Sequence, residues 1–279
     1  DTIQEKTEEE VLEEEEPEQE TQALQDETEE EQQPSSDLPR IISGTIKSTL
    51  DFFFLKEVNI VAIGDSLTQG VGDRTGEGGY IGILDRTINH DRNIAVFENY
   101  GKRGNRTNQL LKRLDEPNII ASIKQADIVL LTIGANDIMQ VAKENFTNLT
   151  FKQFAEERVH FKERLTHIFS KIKEQNPYAQ IYLLGIYNPF KQYFEDIKEL
   201  EMIVNDWNNT SASVTAQFED STFIPIKDLF DHSEEPLFAD DHFHPNYHGY
   251  YLIAERVLPY LTDYEGENNE EEETPNDSQ

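Results

Sequence analysis

The sequence predicts an α/β fold in which a parallel sheet is covered on both faces by helices. Three observations predict it. From Val58 onward, short apolar runs alternate with amphipathic stretches, the pattern of strands joined by helical crossovers. Turn-forming residues stand at the boundaries, among them Gly64, Gln125-Ala126-Asp127 and Asn176-Pro177. The chain has 279 residues and no internal repeat, enough to bury one sizeable core.

The elements follow in order. Val58-Asn59-Ile60-Val61-Ala62-Ile63 reads as a buried strand ending at Gly64. Asn93 to Phe97 is a second strand, Ile128 to Ile133 a third, Ile181 to Leu184 a fourth and Thr222 to Ile224 a short fifth. The clearest helix carries Phe151, Phe154, Ala155, Phe161, Leu165, Ile168, Phe169 and Ile172, an apolar stripe near the helical period. A last helix runs from about Tyr247 to Leu258, with Tyr250, Ala254, Val257 and Leu261 on one face. Right-handed crossovers make such a sheet parallel, and its reactive surface lies at the carboxyl ends of the strands. Site residues should therefore come directly after strands.

Charge divides the chain differently. Lys and Arg number 24 against 56 Asp and Glu, a net of -32. Residues 1–40 carry a net of -15 and residues 263–279 a net of -8, leaving -9 for the interior. The first segment reads as an acidic disordered leader or spacer and the last as an acidic disordered tail, since neither can bury enough apolar surface to order itself. Residues 41–262 form the globular domain. Such a charge disfavours nucleic acid and anionic membranes as partners. With no cysteine, thiol nucleophiles, disulfides and cysteine-ligated metals are excluded. No apolar run approaches the roughly 18–20 residues of a membrane span. The acidic opening without Met suggests the stub of a removed export signal or anchor, so a secreted or cell-surface location is expected.

Four places just after predicted strands carry chemistry. Ser66, in Gly64-Asp65-Ser66-Leu67, sits at a strand-to-helix turn that exposes a hydroxyl; the same residues would also serve as helix caps. His244, in Asp240-Asp241-His242-Phe243-His244-Pro245, is suited to take a hydroxyl proton, and Asp241 can curl back to hold its other ring nitrogen. A surface histidine, or a metal site built from His242, His244 and His248 with Asp240 or Asp241, are the competing readings. Gly104 follows the second strand and offers a bare backbone N–H; Gly101 competes with it. Asn136, in Gly134-Ala135-Asn136-Asp137, follows the third strand and offers an amide donor. The N–H of Ser66, that of Gly104 and the Asn136 amide would make an oxyanion hole.

With these blocks in this order, the sequence resembles the SGNH, or GDSL-type, esterases and lipases over about residues 58–260. It is similar, more loosely, to exported acylhydrolases of Gram-positive bacteria. The resemblance implies a flavodoxin-like, five-stranded three-layer α/β/α sandwich, no cofactor and no metal. It also implies a covalent acyl-enzyme on Ser66, with His244 as base, and an ester substrate: a small molecule, a lipid or an acylated sugar. A non-catalytic binding module on the same fold and a metal-dependent hydrolase using the His242–His248 loop are the alternatives. The aromatic segment Tyr187 to Phe194 could line an acyl or sugar subsite or belong to the core.

Overall fold

The computed structural model describes residues 57–189, 198–231, 233 and 236–262. The acidic leader and tail expected at 1–40 and 263–279 lie outside the described residues. So do Phe190, Tyr193 and Phe194 of the aromatic segment.

Five strands form one parallel sheet: β1 (Val58–Gly64), β2 (Ala95–Gly101), β3 (Ile128–Thr132), β4 (Gln180–Leu184) and β5 (Ser221–Ile224). Their spatial order is β2-β1-β3-β4-β5. The register brings Gly64 opposite both Gly101 and Thr132, Thr132 opposite Leu184, and Leu184 opposite Ile224. Every strand therefore ends at one level.

Side chains alternate across the sheet, and both faces are buried, which explains the uninterrupted apolar runs. Ile60, Ala62, Ile128, Leu130, Tyr182 and Leu184 pack on one side, against helices α2 (Gly79–Ile88), α8 (Lys227–Asp231) and α9 (Tyr247–Thr262). Val61, Ile63, Val129, Leu131, Ile181 and Leu183 pack on the other. That side is covered by α3 (Thr107–Arg113), α4 (Pro117–Gln125), α5 (Ala135–Glu144), α6 (Phe151–Gln175) and α7 (Lys198–Thr215). The result is the expected three-layer α/β/α sandwich. A four-residue helix, α1 (Ser66–Gln69), follows β1.

Three boundaries differ from the sequence reading. Strand β2 lies later than expected, at Ala95–Gly101, because it is an edge strand held by backbone pairing with β1. Its exposed polar residues Glu98 and Asn99 bond to helices, Glu98 accepting from Ser122 of α4 and Asn99 donating to the Thr68 carbonyl that follows β1, so the apolar signal stops before the strand does. Helix α9 runs through Pro259 to Thr262 rather than ending at Leu258. Pro259 and Glu255 are exposed, so the Glu255 carbonyl that loses its intrahelical donor meets solvent. Phe151, placed on the apolar stripe of α6, is instead 40% exposed as the first residue of that helix. No helix among the described residues is long and apolar enough to cross a membrane.

Candidate active site

The strand order reverses direction between β1 and β3, and in open α/β sheets ligands bind at that switch point. Ser66 and Asn136 follow those two strands.

Ser66 is buried and opens α1, with Asp65 as its N-cap. One carboxylate oxygen of Asp65, Oδ1, accepts from the Leu67 N–H at 3.0 Å and from the Thr132 hydroxyl at 2.9 Å. Because Thr132 donates there, it can accept from the Thr68 hydroxyl, 2.7 Å away. Thr68 in turn lies 3.4 Å from the Tyr80 hydroxyl. A buried chain of hydroxyls thus leads from α2 to the Ser66 turn. Burial pushes the Asp65 carboxyl up to about 6, although the bonds from Leu67 and Thr132 work against the shift.

The two donor blocks are locked to each other. Asn136 donates one amide hydrogen from Nδ2 to the Asn105 carbonyl at 3.0 Å and keeps a second. Next to it, buried Asp137 accepts from the Thr107 N–H at 3.1 Å and from its hydroxyl at 2.5 Å. Arg164 of α6 donates to Thr107 at 2.7 Å and to Asp137 at 3.2 Å. Burial raises the Asp137 carboxyl above the ordinary aspartate range, opposed by the Thr107 bonds and the Arg164 charge. Of the two competing glycines, Gly101 packs against α1, where an added Cβ would lie 2.2 Å from the Gln69 nitrogen. Gly104 has a φ of +77° with open space beside it and lines a cavity together with Asn136. Of the two, Gly104 is the one beside open space.

His244 and Asp241 share a tight loop. The imidazole Nδ1 lies 2.5 Å from Asp241 Oδ2, while Asp241 Oδ1 accepts from the N–H groups of His244 (2.9 Å) and Phe243 (3.0 Å). Partial burial opposes ionisation of Asp241, but the bonds from His244 and Phe243 outweigh it and hold the carboxyl below its usual range. His242 makes the reversal with a left-handed φ of +53°. The Tyr187 hydroxyl donates to the Phe243 carbonyl at 3.0 Å, and the Tyr187 ring stacks on Phe230 at 4.2 Å. The loop also lies close to the nucleophile turn. A Cβ on Gly72 would sit 2.9 Å from the His244 Cβ, and the preceding residue, Val71, donates its N–H to the Ser66 carbonyl at 3.1 Å.

Ser66, Asn136 and Phe243 line one cavity of about 280 Å³ whose walls are mostly apolar, including Ile138, Phe154, Leu200 and Ile203. Gly104 and Asn136 line a second, more open one of about 470 Å³. Tyr187 packs in the core and also borders the first cavity. Among the described residues no three His, Asp or Glu side chains are gathered so as to hold a metal ion.

Sequence reasoning named five chemical groups and missed the long-range partners that hold them. Asp65, Thr132 and Asp137 lay within or beside the quoted motifs, yet only the fold shows their buried partners. Nothing in sequence marks Arg164, a charged residue on a helix whose apolar stripe drew the attention.

Comparison with known proteins gives the family of the chain. Residues 62–252 match the family model described as GDSL-like Lipase/Acylhydrolase family. The chain is 36% identical over 206 residues to YpmR of Bacillus subtilis (strain 168), covering 72% of this chain and 80% of that protein. It is 27% identical over 204 residues to the spore germination lipase LipC of Bacillus licheniformis, covering 70% of this chain and 92% of LipC. Its fold is similar to that of the lipase Lip_vut3 from a goat rumen metagenome, with a TM-score of 0.65 and 24% identity over 74% of this chain and 98% of the other. The chain belongs to the GDSL-like lipase/acylhydrolase family of hydrolases.

Proposed function

We propose that this protein hydrolyses carboxylic esters through an acyl-enzyme on Ser66. The observation that carries the reading is the His244–Asp241 pair: a buried imidazole whose Nδ1 faces a carboxylate at 2.5 Å, on a loop that packs against Gly72 of the turn following buried Ser66. With Nδ1–H donated to Asp241, Nε2 holds the lone pair that accepts a proton. In this mechanism Ser66 Oγ attacks the ester carbonyl as its proton passes to His244. The alcohol then leaves with that proton, and water repeats the path to release the acid. The negative oxygen formed in each half is taken by the N–H groups of Ser66 and Gly104 and the second amide hydrogen of Asn136.

The apolar walls of the 280 Å³ cavity suit an acyl chain better than an acetyl group. The description of LipC and Lip_vut3 as lipases supports the same substrate class. The test is hydrolysis of p-nitrophenyl acetate, butyrate and octanoate by the wild type and by Ser66→Ala. Octanoate is expected to give the highest kcat/KM, and Ser66→Ala to lower kcat on the order of 10⁴-fold or more. Activity retained in Ser66→Ala would overturn the mechanism, and a preference for acetate would overturn the assignment of the cavity.

A further inference from the structure

We propose that the open cavity beside Asn136 is a subsite for an anionic group on the alcohol side of the ester, held by Arg106 and Lys143. This deepens the reading of Ser66 and Asn136 as an acyl-transfer site and rests on it.

The two cavities meet along one helical face. Asn136, Met139 and Ala142 of α5 line both, so the proposed carbonyl-binding amide stands on the seam between them. An ester with its carbonyl oxygen at Asn136 has two ends to place. The apolar cavity takes the acyl chain. The other end extends over the open cavity, whose further lining includes Gly104, Arg106, Lys143 and Phe146.

Charge makes this ledge unusual in so acidic a chain. Most described cations have a carboxylate partner, as Lys171 has Asp115, Lys227 has Glu201 and Asp231, and Arg256 has Asp228. No described carboxylate pairs with Arg106 or Lys143, nor with their neighbours Lys102 and Arg103. Lys112, Lys124 and Lys162 also lack one, but these stand on helices α3, α4 and α6 and line neither cavity. The acids nearest in sequence are engaged elsewhere: Asp137 with Thr107 and Arg164, and Glu144 with the Gln140 amide. Four uncompensated cations flank the Gly104 turn and the end of α5. They form a local positive field that the net charge of -32 conceals. The ligand chemistry that fits is a carboxylate, sulfonate or phosphate carried by the alcohol.

The experiment compares 3-nitro-4-octanoyloxybenzoate with its uncharged carboxamide, which share an acyl chain and a nitrophenol leaving group. For a charged partner at a solvent-facing site, the wild type is expected to favour the carboxylate by about tenfold in kcat/KM at low salt, less at high salt. The ratio falls about threefold in Lys143→Gln and close to one in Arg106→Gln/Lys143→Gln, while Lys143→Arg keeps it. A second pair, 1-octanoylglycerol 3-phosphate and 1-octanoylglycerol, is assayed as monomers and in phosphatidylcholine vesicles. Preference for the phosphate among monomers supports the subsite. Preference confined to vesicles overturns it in favour of a membrane-docking face. Equal turnover of charged and uncharged esters sinks the ledge alone, whereas turnover of neither sinks the esterase reading beneath it. A ratio unchanged in the double variant also overturns the proposal.

Discussion

The proposed nucleophile and the proposed base are held in opposite ways. The Ser66 turn depends on partners far away in sequence: Asp65 reaches Thr132 across 67 residues, and Thr68 reaches the same hydroxyl across 64. These contacts are buried, and they join β1, β3 and α2 through groups shielded from solvent. The base is held by its own loop. Asp241 serves His244 three residues on, and its carboxylate remains 40% exposed. A buried network makes the nucleophile's position a property of the whole sheet, whereas a local loop makes the base's orientation a property of a few residues.

Asp241→Asn breaks the local side of this comparison and has the largest expected effect. Removing the carboxylate costs the imidazole its preferred tautomer and the support for its charged form. On the pattern of serine hydrolases kcat should fall on the order of 10³–10⁴-fold. Thermal unfolding should barely change, because the side chain is partly exposed and its contacts are short-range. A large fall in Tm would mean that the two regions are coupled after all.

Asp65→Asn probes the buried side, and its signature is in stability against pH. Folding raises this carboxyl from 3.8 to about 6, so the native state binds the proton more tightly than the unfolded chain. That stabilises the fold at low pH and is lost as pH climbs from about 4 to about 6. The Asn amide oxygen can still accept from Leu67 and Thr132 but has nothing to ionise. Across that window the wild type should lose several degrees of Tm relative to the variant, as read by calorimetry. Parallel curves would show that the carboxyl titrates normally.

The smallest effect is expected from Tyr187→Phe, which sharpens the comparison by touching a long-range tie of the base loop. The ring keeps its stacking on Phe230 and loses the bond to the Phe243 carbonyl. A cost of about 1 kcal/mol in stability and a few-fold loss in kcat follow from one hydrogen bond. A loss as large as that of Asp241→Asn would make the loop's position, rather than its internal geometry, the deciding factor.

The same contrast explains what could be read before the structure. Asp241 and His244 are three residues apart, so their pairing is visible in a motif. Strands β1, β3 and β4 are buried on both faces and announce themselves by unbroken apolar runs. Edge strand β2 is held by backbone bonds that carry no side-chain pattern beyond Phe97, and its extent was misjudged. The Thr68–Thr132–Asp65 chain and the Arg164–Asp137–Thr107 clamp are products of topology. Threonine, arginine and aspartate at those positions look like ordinary caps and surface residues until the sheet brings them together. Gly101 and Gly104 were indistinguishable by spacing and separate only by what each one touches.

The level ends of the five strands carry one more consequence. Because each block leaves the sheet at the same height, the segments above it are inserts on a shared platform rather than links in a single path. Arg106 itself can be exchanged while Gly64 still faces Thr132 and Asn105 still receives the Asn136 amide. Side chains that project from these inserts can therefore tune substrate range while the backbone that carries the site stays in place.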